Sequence, residues 1–200
     1  MTGTAEVIDA VVLAGGRSTR LGGHDKAALT LDGERLVDRT IAAARQAGAG
    51  RVVVVGPEPL APGVPVVQEH PPFGGPVAGL AVGLSALGEG STAVLVLACD
   101  LADPVVAVGA LMAARDPAGD GTYLVDEAGR PQWLTGIYRR AALAEALTAL
   151  GDPTGHSARR LLTGLALTGV DVGASAAADI DTWEDLRIAR RRRAGGGPDE

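Results

Sequence analysis

Cysteine is close to absent from these 200 residues: Cys99 is the only one, so no intrachain disulfide can form and nothing points to an oxidising compartment. Aromatic residues are nearly as scarce, two Trp, two Tyr and one Phe. The core must therefore be built from Ala, Val and Leu, small aliphatics that suit close helix-on-sheet layers. No run of 18 apolar residues occurs, which leaves no candidate for a membrane-spanning helix. Residues 1–6 carry neither a basic region nor a signal-like core, so a cytoplasmic location is expected.

An excess of basic charge is lacking too. Eighteen Lys and Arg against 24 Asp and Glu give a formal charge of -6, which argues against nucleic acid bound by the whole surface and leaves open a small anion held in one pocket. The three histidines, His24, His70 and His156, are too dispersed for a zinc site or a Ser/His pair, and no nucleophilic triad is assigned.

What is present is 46% hydrophobic residues, enough for a packed core in a chain of this length. Short β-branched runs alternate with stretches in which Ala and Leu recur at helical spacing, a pattern of βα units around a largely parallel sheet. Strands are expected at Ile8 to Leu13, Arg51 to Val55, Val64 to Val67, Ala93 to Ala98, Thr122 to Val125 and Trp133 to Tyr138. Helices are expected at Leu36 to Ala47, ended by Gly48, and at Pro76 to Leu87, Pro104 to Arg115, Arg140 to Leu150 and Thr182 to about Arg193. Between Gly164 and Val172 strand and helix are not separable. One domain over 1–193 and a disordered tail over 194–200, rich in Gly and acidic residues, complete the division.

The densest chemical signal is LAGGRSTRLGGHDKAAL, Leu13 to Leu29, directly after the first strand. Gly15 and Gly16 let main-chain amides approach phosphate oxygens, and Arg17, Arg20 and Lys26 supply positive charge, a combination suited to a polyphosphate. It matches neither the P-loop nor the G-x-G-x-x-G dinucleotide fingerprint. Asp100 ends an all-apolar strand at the edge where open α/β sheets place ligands, and a carboxylate there can hold Mg²⁺. Asp103, just before Pro104, reads as a helix cap. The run Arg190 to Arg193 reads as a solvated last helical turn whose cations complement the dipole.

These residues resemble the molybdenum cofactor guanylyltransferases, within the wider set of sugar-nucleotide and cofactor nucleotidyltransferases that share L-A-G-G-x-S-x-R-hydrophobic-G followed by a lysine. The resemblance continues through GGPVAGL (Gly74 to Leu80), LVLACD (Leu95 to Asp100), WLTGIYRR (Trp133 to Arg140) and DIDTWEDL (Asp179 to Leu186). It implies a Rossmann-like three-layer α/β sandwich of the nucleotide-diphospho-sugar transferase type, with a mostly parallel, mixed sheet. It also implies a Mg²⁺-dependent attack by the terminal phosphate of molybdopterin on the α-phosphate of GTP.

On the same resemblance Leu13, Ala14, Gly15, Gly16 and Arg17 wrap the triphosphate. Lys26 neutralises it, Asp100 is the metal ligand, and Glu69, with Gln68 one position away, contacts the nucleotide; Lys26, Asp100 and Arg20 are the catalytic candidates. Gly75 and Gly79 line the nucleoside pocket or let a helix pack on the sheet. GTP and a phosphorylated acceptor are the expected partners, with a molybdoenzyme or cofactor-biosynthesis protein downstream. Cytidylyl transfer and a non-catalytic nucleotide-binding module are the competing readings. Trp133, Tyr138, Arg139, Arg140, Arg159 and Arg160 are acceptor-side candidates, ranked behind core filling and solvated surface. The chain departs from the resembling pattern in having Asp179 and Asp181 where asparagines are usual, exchanging groups that donate and accept for groups that only accept.

Overall fold

The computed structural model describes residues 7–15, 28–57, 60–173, 178–180 and 182–195. In chain order the elements are β1 (Ile8–Leu13), β2 (Thr30–Leu31), β3 (Glu34–Arg35), α1 (Leu36–Gln46), β4 (Val52–Val55), β5 (Val66–Val67), α2 (Pro76–Ala86), β6 (Ala93–Ala98), α3 (Pro104–Ala113), β7 (Gly121–Val125), β8 (Pro131–Arg139), α4 (Arg140–Leu150), α5 (Ala158–Leu162), β9 (Leu167–Asp171) and α6 (Trp183–Gly195).

Seven strands form one sheet in the order β5-β4-β1-β6-β8-β7-β9. β5, β4, β1 and β6 run parallel, β8 is antiparallel to β6 and β7, and β9 returns parallel to β7. The sheet is thus mixed but mostly parallel, as expected.

Its two faces follow from the two-residue period of the strands. Ala10 and Val12 of β1, with Ala93, Leu95 and Leu97 of β6, pack under α1 and α3. The alternate residues Val11, Val94 and Val96 pack under α2, α4 and α5. Burial on both faces is why β6 is an unbroken apolar run rather than an alternating one. A smaller cluster of Leu31, Leu36, Ile180, Leu186 and Ala189 attaches the β2–β3 hairpin and α6 to this sandwich.

Most helix ends lie where their residues predict. Gly48 has φ 89°, the left-handed stop after α1. The Asp103 side chain accepts from the Val106 amide at 3.2 Å at the start of α3. At the start of α6, the Thr182 hydroxyl accepts from the Asp185 amide and the Asp185 carboxylate accepts from the Thr182 amide, a reciprocal capping box. Arg190 donates to the Thr30 carbonyl and Arg193 pairs with Asp32, so two of the C-terminal arginines fasten the hairpin. Residues 196–200 of the expected tail lie outside the described residues.

Two features go beyond the sequence reading. The region around Gly164 resolves into the short helix α5 followed by edge strand β9, whose residues are half-buried or exposed and so carry little periodicity. The β2–β3 hairpin was not anticipated, although Asp32-Gly33 at its tip, with φ 55° and 87°, is the dipeptide that such tight turns favour.

The far end of the sheet is tied by Asp120. Its carboxylate accepts from the Ala166 amide at 2.9 Å and from the Arg139 guanidinium at 2.6 Å. The Ala166 amide first, and Arg139 after it, hold this carboxyl below the ordinary aspartate value of 3.8. A depressed folded-state value contributes stability that is present above 3.8 and lost as pH falls through the lower folded value. Asp120→Asn is therefore expected to be less stable than the parent in urea unfolding at neutral pH, with the gap closing below that value. A gap independent of pH would contradict the assignment.

Candidate active site

β1 sits between β4 and β6. From β1 the chain moves outward through α1 to β4 and β5, then crosses back through α2 to β6 on the other side of β1. The strand order therefore reverses at β1 and β6, and their carboxyl ends open the crevice where doubly wound sheets bind ligands. The Cys99 amide donates to the Leu13 carbonyl at 3.1 Å and the Ala14 amide to the Val55 carbonyl at 2.8 Å, which holds the three strand exits together.

A cavity of about 420 Å³ occupies this crevice, within the range of roughly 300–1,000 Å³ usual for small-molecule sites. Of the residues predicted for the site, it gathers Leu13, Ala14, Gly15, Glu69, Gly75, Gly79 and Asp100. Gly16, Arg17, Arg20 and Lys26 lie outside the described residues.

Sequence reasoning missed Val55, Phe73, Pro76, Ala98, Cys99 and Leu134, which complete the lining. Phe73, the chain's single phenylalanine, is 59% exposed. Its position inside PPFGG, beside a pocket-forming glycine turn, was the available signal.

The amino end of α2 faces the cavity through Gly75, Pro76 and Gly79 and has no acidic residue in its first turn, so its positive dipole end is not offset locally. The glycines divide in purpose. Gly75 is required by its backbone, with φ 95° at the N-cap. Gly79 abuts Val55 and Leu13 at ordinary contact distances of 3.4 and 3.6 Å for an added Cβ. Gly83, one turn on, is the one that lets α2 settle on the sheet, because a Cβ there would meet Val11 Cγ1 at 2.6 Å. Gly15 is different again: a Cβ on it would find nothing nearer than the Val55 carbonyl at 3.9 Å. Packing against the described residues does not require a glycine at that position.

Asp100 is half-buried at the end of β6. Its carbonyl accepts from the Ile180 amide at 2.8 Å, the Ala102 amide donates to the Ala178 carbonyl at 2.9 Å, and Leu101 bridges Asp179. Residues 178–180 are thereby brought beside the Asp100 turn, Asp179 among them. Asp181 lies outside the described residues.

The acceptor-side candidates separate. Arg139 and Arg140 sit where β8 pairs with Ala93, at the edge opposite Asp100. There Arg139 is engaged by Asp120, and Arg140 donates to Ser91 and the Leu84 carbonyl. Both belong to the scaffold. Tyr138 is fully buried and donates to the Trp133 carbonyl at 2.7 Å, and burial raises its hydroxyl pKa. Trp133 packs on Tyr123, ring centroids 4.4 Å apart. Arg159 and Arg160 are exposed on α5 and line no part of the cavity.

A switch-point crevice with a glycine-rich exit from its central strand, an amide-rich helix end and a carboxylate at the next strand end defines a nucleotide-binding α/β enzyme of the nucleotidyltransferase class. The MobA-like NTP transferase domain matches residues 10–170. A molybdenum cofactor guanylyltransferase from Xanthomonas euvesicatoria is 36% identical over 172 residues, covering 85% of this chain and 86% of that protein. One from Rhodobacter capsulatus is 30% identical over 189 residues, covering 92% and 96%. Among solved structures, the manganese complex of Rv0371c from Mycobacterium tuberculosis shares the fold, with a TM-score of 0.64, 20% identity and coverage of 92% and 98%. The chain belongs to the MobA-like NTP transferase family, alongside the molybdenum cofactor guanylyltransferases, and is a nucleotidyltransferase.

Proposed function

We propose that this enzyme transfers GMP from GTP to molybdopterin with release of pyrophosphate. The terminal phosphate oxygen of the acceptor attacks the α-phosphorus. A phosphorus–oxygen bond forms there, and the bond to the oxygen bridging to the β-phosphorus breaks. The observation that carries the reading is Gly15, whose missing side chain is unexplained by packing against the described residues but suits a phosphate lying against the main chain beside Asp100.

The triphosphate lies in this reading over the exit of β1 and the amino end of α2, with Lys26, Arg17 and Arg20 contributing charge and Glu69 facing the nucleoside. Gly75 and Gly79 leave room for the nucleoside. Little covalent work falls to the protein, because such transfers rest on positioning and charge neutralisation.

Asp100 would hold a divalent cation, Mg²⁺ in the first instance. The donor fits that ion, being a single carboxylate that lines the crevice. Mg²⁺ ordinarily takes one or two carboxylates, keeps several waters and binds substrate phosphates. When bound it would offset the charge of the triphosphate. No helix among the described residues is long and apolar enough to cross a membrane, and the cytoplasm, where GTP is made, is the location that goes with this reading.

The test is pyrophosphate release from GTP and from CTP, each with Mg²⁺ and molybdopterin. Release with GTP at least about tenfold faster than with CTP is expected. Preference for CTP would move the enzyme to cytidylyl transfer, and binding without release would favour the non-catalytic reading. Lys26 is the only lysine among the eighteen Lys and Arg residues. Acetylation of its ε-amine, read by mass spectrometry, should therefore be slowed by GTP, and equal labelling with and without GTP would remove it from the site.

A further inference from the structure

The turn that carries Asp100 is held from two sides. On one side it is held by residues 178–180 through the backbone bonds described above, and on the other by two consecutive side chains of α1. Arg39 Nη2 donates to the Ala102 carbonyl at 3.1 Å. The Thr40 hydroxyl, which donates to the Leu36 carbonyl at 3.1 Å, also lies 3.4 Å from the Cys99 carbonyl. The carbonyls on either side of the Asp100–Leu101 pair thus face one helix turn.

Arg39 is an expensive way to make such a contact. The residue is 8% exposed, and its Nη1 has no hydrogen-bond partner among the described residues. A buried donor left unpaired costs about 1–3 kcal/mol. The surrounding charges are mixed, with Asp103, Glu34 and Asp32 opposed by Arg193, and they form no tight ion pair with it. An apolar side chain of similar length would fill the same volume, and replacing buried charged groups by apolar ones is often neutral or stabilising. Stability does not account for a guanidinium here, whereas its hold on the Ala102 carbonyl does.

We infer that Arg39, seconded by Thr40, is a positioning residue that sets the Asp100 turn in the geometry needed to take the divalent cation bound with the nucleotide. The inference rests on Asp100 being the metal ligand. Outer groups that orient a ligand typically govern metal affinity by about ten- to a hundredfold.

The experiment compares the dissociation constant of GTP with Mn²⁺ and without metal, in calorimetry and with no acceptor present, for the parent, Arg39→Met, Arg39→Lys and Thr40→Val. In the parent, Mn²⁺ should tighten GTP binding. Arg39→Met should lose about tenfold of that gain while metal-free GTP binding stays within about twofold. Arg39→Lys, whose ammonium can still reach the carbonyl, should recover most of it, and Thr40→Val should lose a smaller part. A general structural defect would weaken binding in both conditions alike.

If Arg39→Met keeps the full metal-dependent gain, the inference is overturned. If it does not fold, Thr40→Val decides, and a full metal-dependent gain in that variant overturns the inference as well. A parent without any metal-dependent gain would overturn the reading of Asp100 itself, a result distinguishable from failure of Arg39 alone.

Discussion

Replacement of Asp100 by alanine is expected to lower kcat/KM for pyrophosphate release by about a hundred- to a thousandfold, the scale on which removal of one preorganised electrostatic group acts. That corresponds to about 3–4 kcal/mol of transition-state stabilisation. The carboxylate lines the crevice between β1 and β6, and its main chain is fixed by the Ile180 amide, so the loss should fall on chemistry more than on folding. Parent activity should rise steeply with Mg²⁺, and the variant should respond little to it. Assays across Mg²⁺ concentration, with thermal melts of both proteins, check this. A variant within about fivefold of the parent would remove Asp100 from the centre of the reaction and leave the crevice with no assigned metal ligand.

The second large effect concerns the scaffold. Gly83→Ala should destabilise the protein although Ala is the better helix former by about 1 kcal/mol. The added Cβ would lie 2.6 Å from Val11 Cγ1 and 2.9 Å from Val55 Cγ2. Both valines are buried in the centre of the sheet, and their β-branched side chains have few rotamers in which to yield. Overpacking of this kind costs about 1–3 kcal/mol. Set against the helix gain, the net loss should be up to about 2 kcal/mol, seen as a Tm lower by up to about 5 °C.

Gly109 supplies the contrast. It lies within α3, and a Cβ there meets nothing within 4 Å, so Gly109→Ala should raise Tm. Because α2 also carries Gly75 and Gly79 into the cavity, lifting it from β1 and β4 in Gly83→Ala should raise the KM for GTP as well. An unchanged or higher Tm for Gly83→Ala would mean that the helix sits on the sheet less closely than described.

Much of this architecture was legible in the chain. β1 and β6 announced themselves as apolar runs because both of their faces are covered, and α2 and α3 because each opens on a proline. Those four elements meet at or beside the crevice, and the sequence marked the glycine-rich exit of β1 and the aspartate after β6, both of which line it, as candidates for binding phosphate and metal. Less legible were the elements whose identity depends on partners. β9 has little periodicity because it is an edge strand. The β2–β3 hairpin is too short for a pattern and was marked only by its Asp-Gly tip. Arg139 and Arg140 looked available to a phosphate because sequence does not say at which end of an antiparallel strand a residue will emerge, and β8 carries them away from the site.

By itself, then, the sequence determined the class of chemistry and the order of the main strands and helices, and it marked candidates for meeting a nucleotide, since these depend on local patterns, namely period, charge and the absence of a Cβ. Tertiary structure alone decided which glycine serves packing and which serves the cavity. It also brought Glu69, Phe73 and Leu134 to one opening and set Arg39 and Thr40 behind the Asp100 turn through contacts that span 63 and 59 positions of the chain. Such relations depend on distance between segments that only the crossing of the chain over β1 brings together, and no local pattern records them.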